Sequence, residues 1–211
     1  LGDIRKYADV DRSIKNQDAV IHLATVFTPL SDRNPELCKA VTISGSDNII
    51  EAIKNTGNRA LLVQVSSASV MGPTQDRVPP VRPNDSVLAT DMYSSTKIEA
   101  ERLMAGSGVR YRILRLAAVL PMNINVRYLL NMMRIMFDMP LEARCEIVMD
   151  IDVAYALVSA AEELNNNGTM CGRKGFIAGE WKQGCQLTDG GMLMDVFSQA
   201  GHRDKRIRIE G

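Results

Sequence analysis

Ala60–Ser67 reads ALLVQVSS, a run that is apolar on both alternating faces and closes on two serines. DAVIHLA, Asp18–Ala24, has the same β-rich character before it, and VRYRILRLAAVL, Val109–Leu120, follows it as another buried strand. Between these runs lie helical patterns. NIIEAIK, Asn48–Lys54, reads as the end of a helix stopped by Asn55-Thr56-Gly57-Asn58. YSSTKIEAERL, Tyr93–Leu103, opens a second helix, free of Gly and Pro, that stops near Gly106-Ser107-Gly108. A strand that is apolar on both faces needs cover on both, and alternation with helices supplies it in a parallel sheet. The expected class is α/β, a doubly wound parallel sheet with flanking helices.

Composition limits what such a fold can be used for. The 211 residues suit one domain with a small appendage, and Lys plus Arg balance Asp plus Glu at 25 each. Formal neutrality leaves no global basic field for nucleic acid. Cys38, Cys145, Cys171 and Cys185 show neither close pairing nor metal spacing, so reduced thiols in a cytoplasmic protein are expected. No apolar run approaches a membrane span, and the start LGDIRKYADVD is too charged for a signal peptide.

In a parallel sheet of this kind ligands bind beyond the carboxyl ends of the strands. Ala24-Thr25, Ser66-Ser67-Ala68-Ser69 and Ala118-Val119-Leu120-Pro121 should therefore share one edge. A Pro-rich loop, Met71–Asp91, leaves that edge and leads to Tyr93. Lys97 follows Tyr93 by one helical turn, so the two share a face. An ammonium ~5 Å from a phenol, at an effective dielectric of ~20, favours the phenolate by roughly 3 kcal/mol. That would lower a pKa near ~10 by about two, enough for proton exchange with a substrate oxygen near neutral pH. The same spacing also fits a solvated helix start, and the serines also fit ordinary strand-end turns. His22, inside a strand, reads as a satisfied core or second-layer histidine, and His202 as a solvated one.

The ordered set GDI (Gly2–Ile4), DAVIHLA, GSDNIIEA (Gly45–Ala52), VSSASVMG (Val65–Gly72), YSSTK and ILRLAAVLP (Ile113–Pro121) resembles the extended short-chain dehydrogenase/reductase family, the NAD-dependent epimerases and dehydratases. DIDVAYALVSAAE, Asp150–Glu162, is similar to the segment that opens a late helix there. The resemblance implies a partial Rossmann-like dinucleotide-binding domain over residues 1–120 and a mixed substrate-binding and closing segment over 121–211. It implies that Tyr93 is the acid/base, that Lys97 holds the nicotinamide ribose and depresses the Tyr93 pKa, and that Ser67 hydrogen-bonds the reacting oxygen. It also places Asp3 and Ile4 at the adenine, Ala24 where backbone approaches the dinucleotide, and Pro121 beside the nicotinamide. The implied cofactor is NAD or NADP.

Three departures stand out. Met71 replaces the tyrosine usual before Gly72, which alters a wall of the pocket, and Thr42 stands where the family commonly has asparagine. No strand in the chain is followed by G-x-x-G-x-x-G, the loop that brings backbone to the pyrophosphate. The expectation is a fragment of an enzyme that starts after the first strand–helix units and binds dinucleotide weakly by itself. Its strand from Asp18 would be an open edge, prone to pairing into a homodimer.

The implied activity is oxidoreduction, epimerisation or dehydration of a sugar nucleotide or a small carbonyl or alcohol, by Tyr-assisted hydride transfer. The alternative is a non-catalytic dinucleotide-binding sensor on the same fold. Between Pro121 and Asp150, Met132, Met133, Met136 and Met139 fit either a core-facing helix or an adaptable pocket, and Arg127 and Arg134 could clamp a phosphate. The shortness of this segment suits a substrate smaller or less polar than a nucleotide sugar.

Overall fold

The computed structural model describes residues 2–55, 57, 60–123, 144–166, 171–178, 187–188 and 208–210. Met132, Met133, Met136, Met139, Arg127, Arg134, Cys185 and His202 lie outside them. Two compact units divide the chain. The first holds Leu1–Arg115 and Leu157–Phe176, the second Leu116–Ala156 and Ile177–Glu210.

The strands are β1 (Ala19–His22), β2 (Leu61–Ser67), β3 (Tyr111–Leu116), β4 (Ala118–Leu120), β5 (Arg144–Cys145), β6 (Ile147–Met149), β7 (Arg173–Ala178), β8 (Leu187–Thr188) and β9 (Arg208–Glu210). The main sheet has the order β1-β2-β3-β7-β9, with β1 parallel to β2 from Ala19 opposite Leu61 to His22 opposite Gln64. Among the described residues β1 is an edge strand.

The helices are α1 (Tyr7–Ile14), α2 (Leu30–Arg33), α3 (Pro35–Lys39), α4 (Gly45–Asn55), α5 (Met92–Gly106) and α6 (Asp150–Asn166). One face of the sheet is covered by α1, α4 and α5. Val10 and Ile14 from α1, Ile49, Ile50 and Ile53 from α4 and Met104 from α5 close over Leu62 of β2 and Ile113 of β3. Full burial of each such side chain stabilises the fold by ~1.5–3 kcal/mol, which is why this face forms despite the short strands.

Two local features carry the chain toward the site. A π-helical turn, Ala40–Ser44, joins α3 to α4, and Ser46 Oγ, from the first turn of α4, donates back to the Thr42 carbonyl at 2.6 Å. After β2 a 3-10 turn, Ala68–Met71, ends at Gly72 with φ +64°. A Cβ there would stand 2.7 Å from the Leu88 carbonyl oxygen, so only glycine lets the loop fold back on itself.

Val109–Leu120 is not one strand. β3 stops at Leu116, the Ala117 N–H goes to the Ile177 carbonyl, and β4 leaves to pair in parallel with β6 in a separate two-stranded sheet. Apolar character continues across Ala117, but hydrophobicity reports burial and not which neighbour a strand bonds to. Asp150–Glu162 does lie in a helix, α6.

Candidate active site

The end of β2 and the start of α5 are brought together in the first unit. α5 begins at a reciprocal cap: Asp91 Oδ1 accepts the Ser94 N–H at 2.6 Å, and Ser94 Oγ accepts the Asp91 N–H at 3.2 Å. Asp32 of α2 accepts the next free amide, that of Met92, at 3.1 Å. Satisfying these orphan donors fixes the first turn. Tyr93 is in that turn.

Ser67, the last residue of β2, accepts the Ser69 N–H at 3.2 Å and the Ser69 hydroxyl at 2.9 Å. Its side chain also lies near enough to the Tyr93 phenol to act on its ionisation, favouring the charged form. Burial outweighs this effect and raises the Tyr93 pKa above its ordinary 10, with Asp91 and Cys38 adding to the rise.

Lys97 is 1% exposed, and its Nζ donates to the Val65 carbonyl at 2.9 Å and lies 5.8 Å from the Tyr93 ring centroid. Burial lowers its pKa to about 8, against the smaller opposing effects of Cys38 and Glu101. The expected depression of the Tyr93 pKa by Lys97 is thus not what this arrangement produces. The cation is directed at a backbone carbonyl, and desolvation of the phenol dominates.

The positions expected at the dinucleotide each make contacts of their own. The Asp3 carboxylate is taken by Arg5, through Nε at 2.9 Å and Nη2 at 2.6 Å, and this pairing holds its pKa at about 2. The Ile4 carbonyl accepts Asn48 Nδ2 at 2.9 Å, and its side chain packs where a Cβ on Gly45 would sit, 3.0 Å away. Ala24 is half-buried just past β1. Pro121 belongs to the second unit.

Met71 is a correction. Instead of walling a pocket it is 2% exposed, packs on Val70 and Ile98, and presents Sδ to Arg115 Nη1 at 3.1 Å. A thioether can join that core where a phenol would need a partner for its hydroxyl. Thr42 is fully buried and 3.2 Å from Thr25 Oγ1.

Four neighbours were not singled out from the sequence. Phe27, 65% exposed, stacks on Tyr93 with centroids 5.5 Å apart. Cys38 is fully buried, 3.4 Å from Thr96 Oγ1. Glu101 and Arg115 form a buried ion pair at 2.7 Å. Arginines inside the apolar run VRYRILRLAAVL were the available signal, because a buried guanidinium requires a partner. No cluster of metal-binding side chains occurs among the described residues, nor a helix long and apolar enough to cross a membrane.

His22 is a core residue, 3% exposed, with Nε2 3.1 Å from Ser46 Oγ. Since Ser46 donates to Thr42, His22 Nε2 donates to Ser46. Burial, helped by the Lys97 charge, lowers its pKa to about 4. Between about 4 and the ordinary 6.5 the unfolded chain binds a proton that the folded chain refuses, so stability falls as pH falls through that window. From pH ~7 to ~4.5 the wild-type chain should lose about 2 kcal/mol more than His22→Gln in urea unfolding. Equal losses would remove His22 as the cause, since the carboxylates titrate alike in both.

Residues 1–113 match the 3-beta hydroxysteroid dehydrogenase/isomerase family. Over 107 residues the chain is 31% identical to 3 beta-hydroxysteroid dehydrogenase type 7 of Rattus norvegicus, covering 49% of this chain and 31% of that protein. Over 114 residues it is 32% identical to the Homo sapiens sterol-4-alpha-carboxylate 3-dehydrogenase, decarboxylating, covering 51% and 28%. These matches span about a third of the length of those relatives. RMD from Pseudomonas aeruginosa, solved with NADPH, superposes with a TM-score of 0.75 at 17% identity, covering 95% of this chain and 71% of that one. At that identity the likeness speaks for the fold, a Rossmann-type parallel sheet.

Proposed function

Because the chain belongs to the 3-beta hydroxysteroid dehydrogenase/isomerase family, we propose that it serves nicotinamide-dependent oxidoreduction between a secondary alcohol and a ketone on an apolar, ring-bearing substrate. The observation that carries this reading is the approach of the Ser67 side chain, at the end of β2, to the Tyr93 phenol on α5, near enough to act on its ionisation, with Lys97 one turn behind. Phe27 supports the apolar substrate, because it presents an exposed aromatic face continuous with the Tyr93 ring.

The residues fit an NAD or NADP nicotinamide ribose. Lys97 is a buried cation with three N–H donors, of which the bond to Val65 uses one. It could hold the ribose diol, with Ala24 and Ile4 offering backbone and apolar contact to the rest. The bound nicotinamide would supply or accept the hydride. Tyr93, protonated at neutral pH by its raised pKa, gives its proton to the developing alkoxide in reduction, and Ser67 donates to the same oxygen to hold it in line.

The test is turnover of the gene's full product with a 3-ketosteroid and NADPH or NADH, followed by nicotinamide absorbance and compared with a nucleotide-sugar substrate. Faster turnover of the steroid supports the reading. Turnover of the nucleotide sugar alone would overturn the substrate class, and turnover of neither would overturn the enzyme assignment.

A further inference from the structure

Beneath the acid/base pair lies a cluster of buried charge. Glu101, 2% exposed, sits on α5 one turn beyond Lys97 and two beyond Tyr93. Its Oε1 accepts the Ser66 hydroxyl at 2.7 Å and Arg115 Nε at 2.9 Å, and its Oε2 accepts Arg115 Nη2 at 2.7 Å. Lys174 of β7 approaches the same Oε2 at 3.2 Å. Arg115, fully buried on β3, turns its remaining Nη1 to the Pro83 carbonyl at 2.9 Å and to Met71 Sδ. One carboxylate therefore joins the helix that carries Tyr93 and Lys97, the residue preceding Ser67, and, through Arg115, the loop that follows Ser67.

We propose that Glu101 is a positioning residue: clamped by Arg115 and Ser66, it fixes how α5 holds Lys97 and Tyr93 against the end of β2 that holds Ser67. The inference rests on the acid/base reading of those three residues. Geometry supports it over a purely structural role. A fork-to-carboxylate pair is directional, and a second bond from the same carboxylate goes to the neighbour of Ser67. An apolar contact would bury α5 equally well without setting its register against β2.

Charge gives a separate readout. The groups facing Lys97 are Tyr93 and Glu101 on its own helix, Cys38 from α3 and His22 from β1, while Arg115 and Lys174 meet the Glu101 carboxylate. Glu101 is the carboxylate that helps hold the proton on Lys97.

Two variants test the proposal. In Glu101→Gln, carbon-13 NMR titration of the Lys97 side chain should show the proton leaving at lower pH than in wild type. In the paired variant Glu101→Leu/Arg115→Met, which removes both buried charges, folding should survive, while kcat falls about tenfold or more through misplacement of the catalytic groups and cofactor affinity changes less. An unmoved Lys97 titration, or wild-type kcat in the paired variant, overturns the proposal. Failure of the paired variant to fold would assign Glu101 to stability alone and overturn it equally. The titration needs no turnover, so a wild-type protein without activity would sink the oxidoreductase reading and leave this inference to be decided by NMR.

Discussion

Tyr93→Phe should lower kcat by about 10²- to 10⁴-fold, the usual worth of a positioned acid/base. The substitution deletes one hydroxyl, but keeps the ring that stacks on Phe27 and the first turn of α5 that Asp91 and Asp32 cap. Cofactor affinity and thermal midpoint should therefore stay near wild type. Undiminished steady-state turnover would refute the assignment.

The direction of the Tyr93 shift adds a sign. A phenol whose pKa is raised by burial remains protonated through neutrality, so reduction should be flat in pH around 7 while oxidation, which needs the phenolate as base, climbs on the alkaline side. An oxidation rate that climbs and levels on the acid side of neutrality would require a depressed tyrosine and contradict the burial argument.

Arg115→Met should cost about 3–5 kcal/mol of stability in urea unfolding, because it strands a buried carboxylate. Glu101 would keep Ser66 and a Lys174 that is 32% exposed, and would lose both arms of its fork. The Pro83 carbonyl and Met71 Sδ would lose their donor as well. Adding Glu101→Leu should recover most of the loss, since an apolar pair of similar bulk needs no solvation. A single variant as stable as wild type would mean that solvent reaches the carboxylate.

Much of this was legible without coordinates, for a physical reason. Ala60–Ser67 and Asp18–Ala24 are apolar at both parities, a pattern suited to strands of a covered parallel sheet, so the presence of such strands follows from local pattern. The four-residue separation of Tyr93 and Lys97 likewise sets their shared helix face, and the carboxyl end of β2 is where such sheets expose side chains, which brought Ser67 forward.

Pairing between distant groups was decided by the tertiary structure alone. Nothing local to Val109–Leu120 tells the chain to change sheets at Ala117, because the bond that ends β3 comes from Ile177, sixty residues on. The sign of the tyrosine shift went the same way: one-turn spacing argues for attraction, yet how deeply the phenol and the ammonium are desolvated depends on residues from α3, β1 and β2 that close around them. Glu101 read as one more helix former, and became the buried anchor of the site only because Arg115 and Ser66 arrive from two different strands. Periodicity reports which face of an element is covered. Partners, depth and charge state arise from contacts across tens of residues, and no local pattern encodes them.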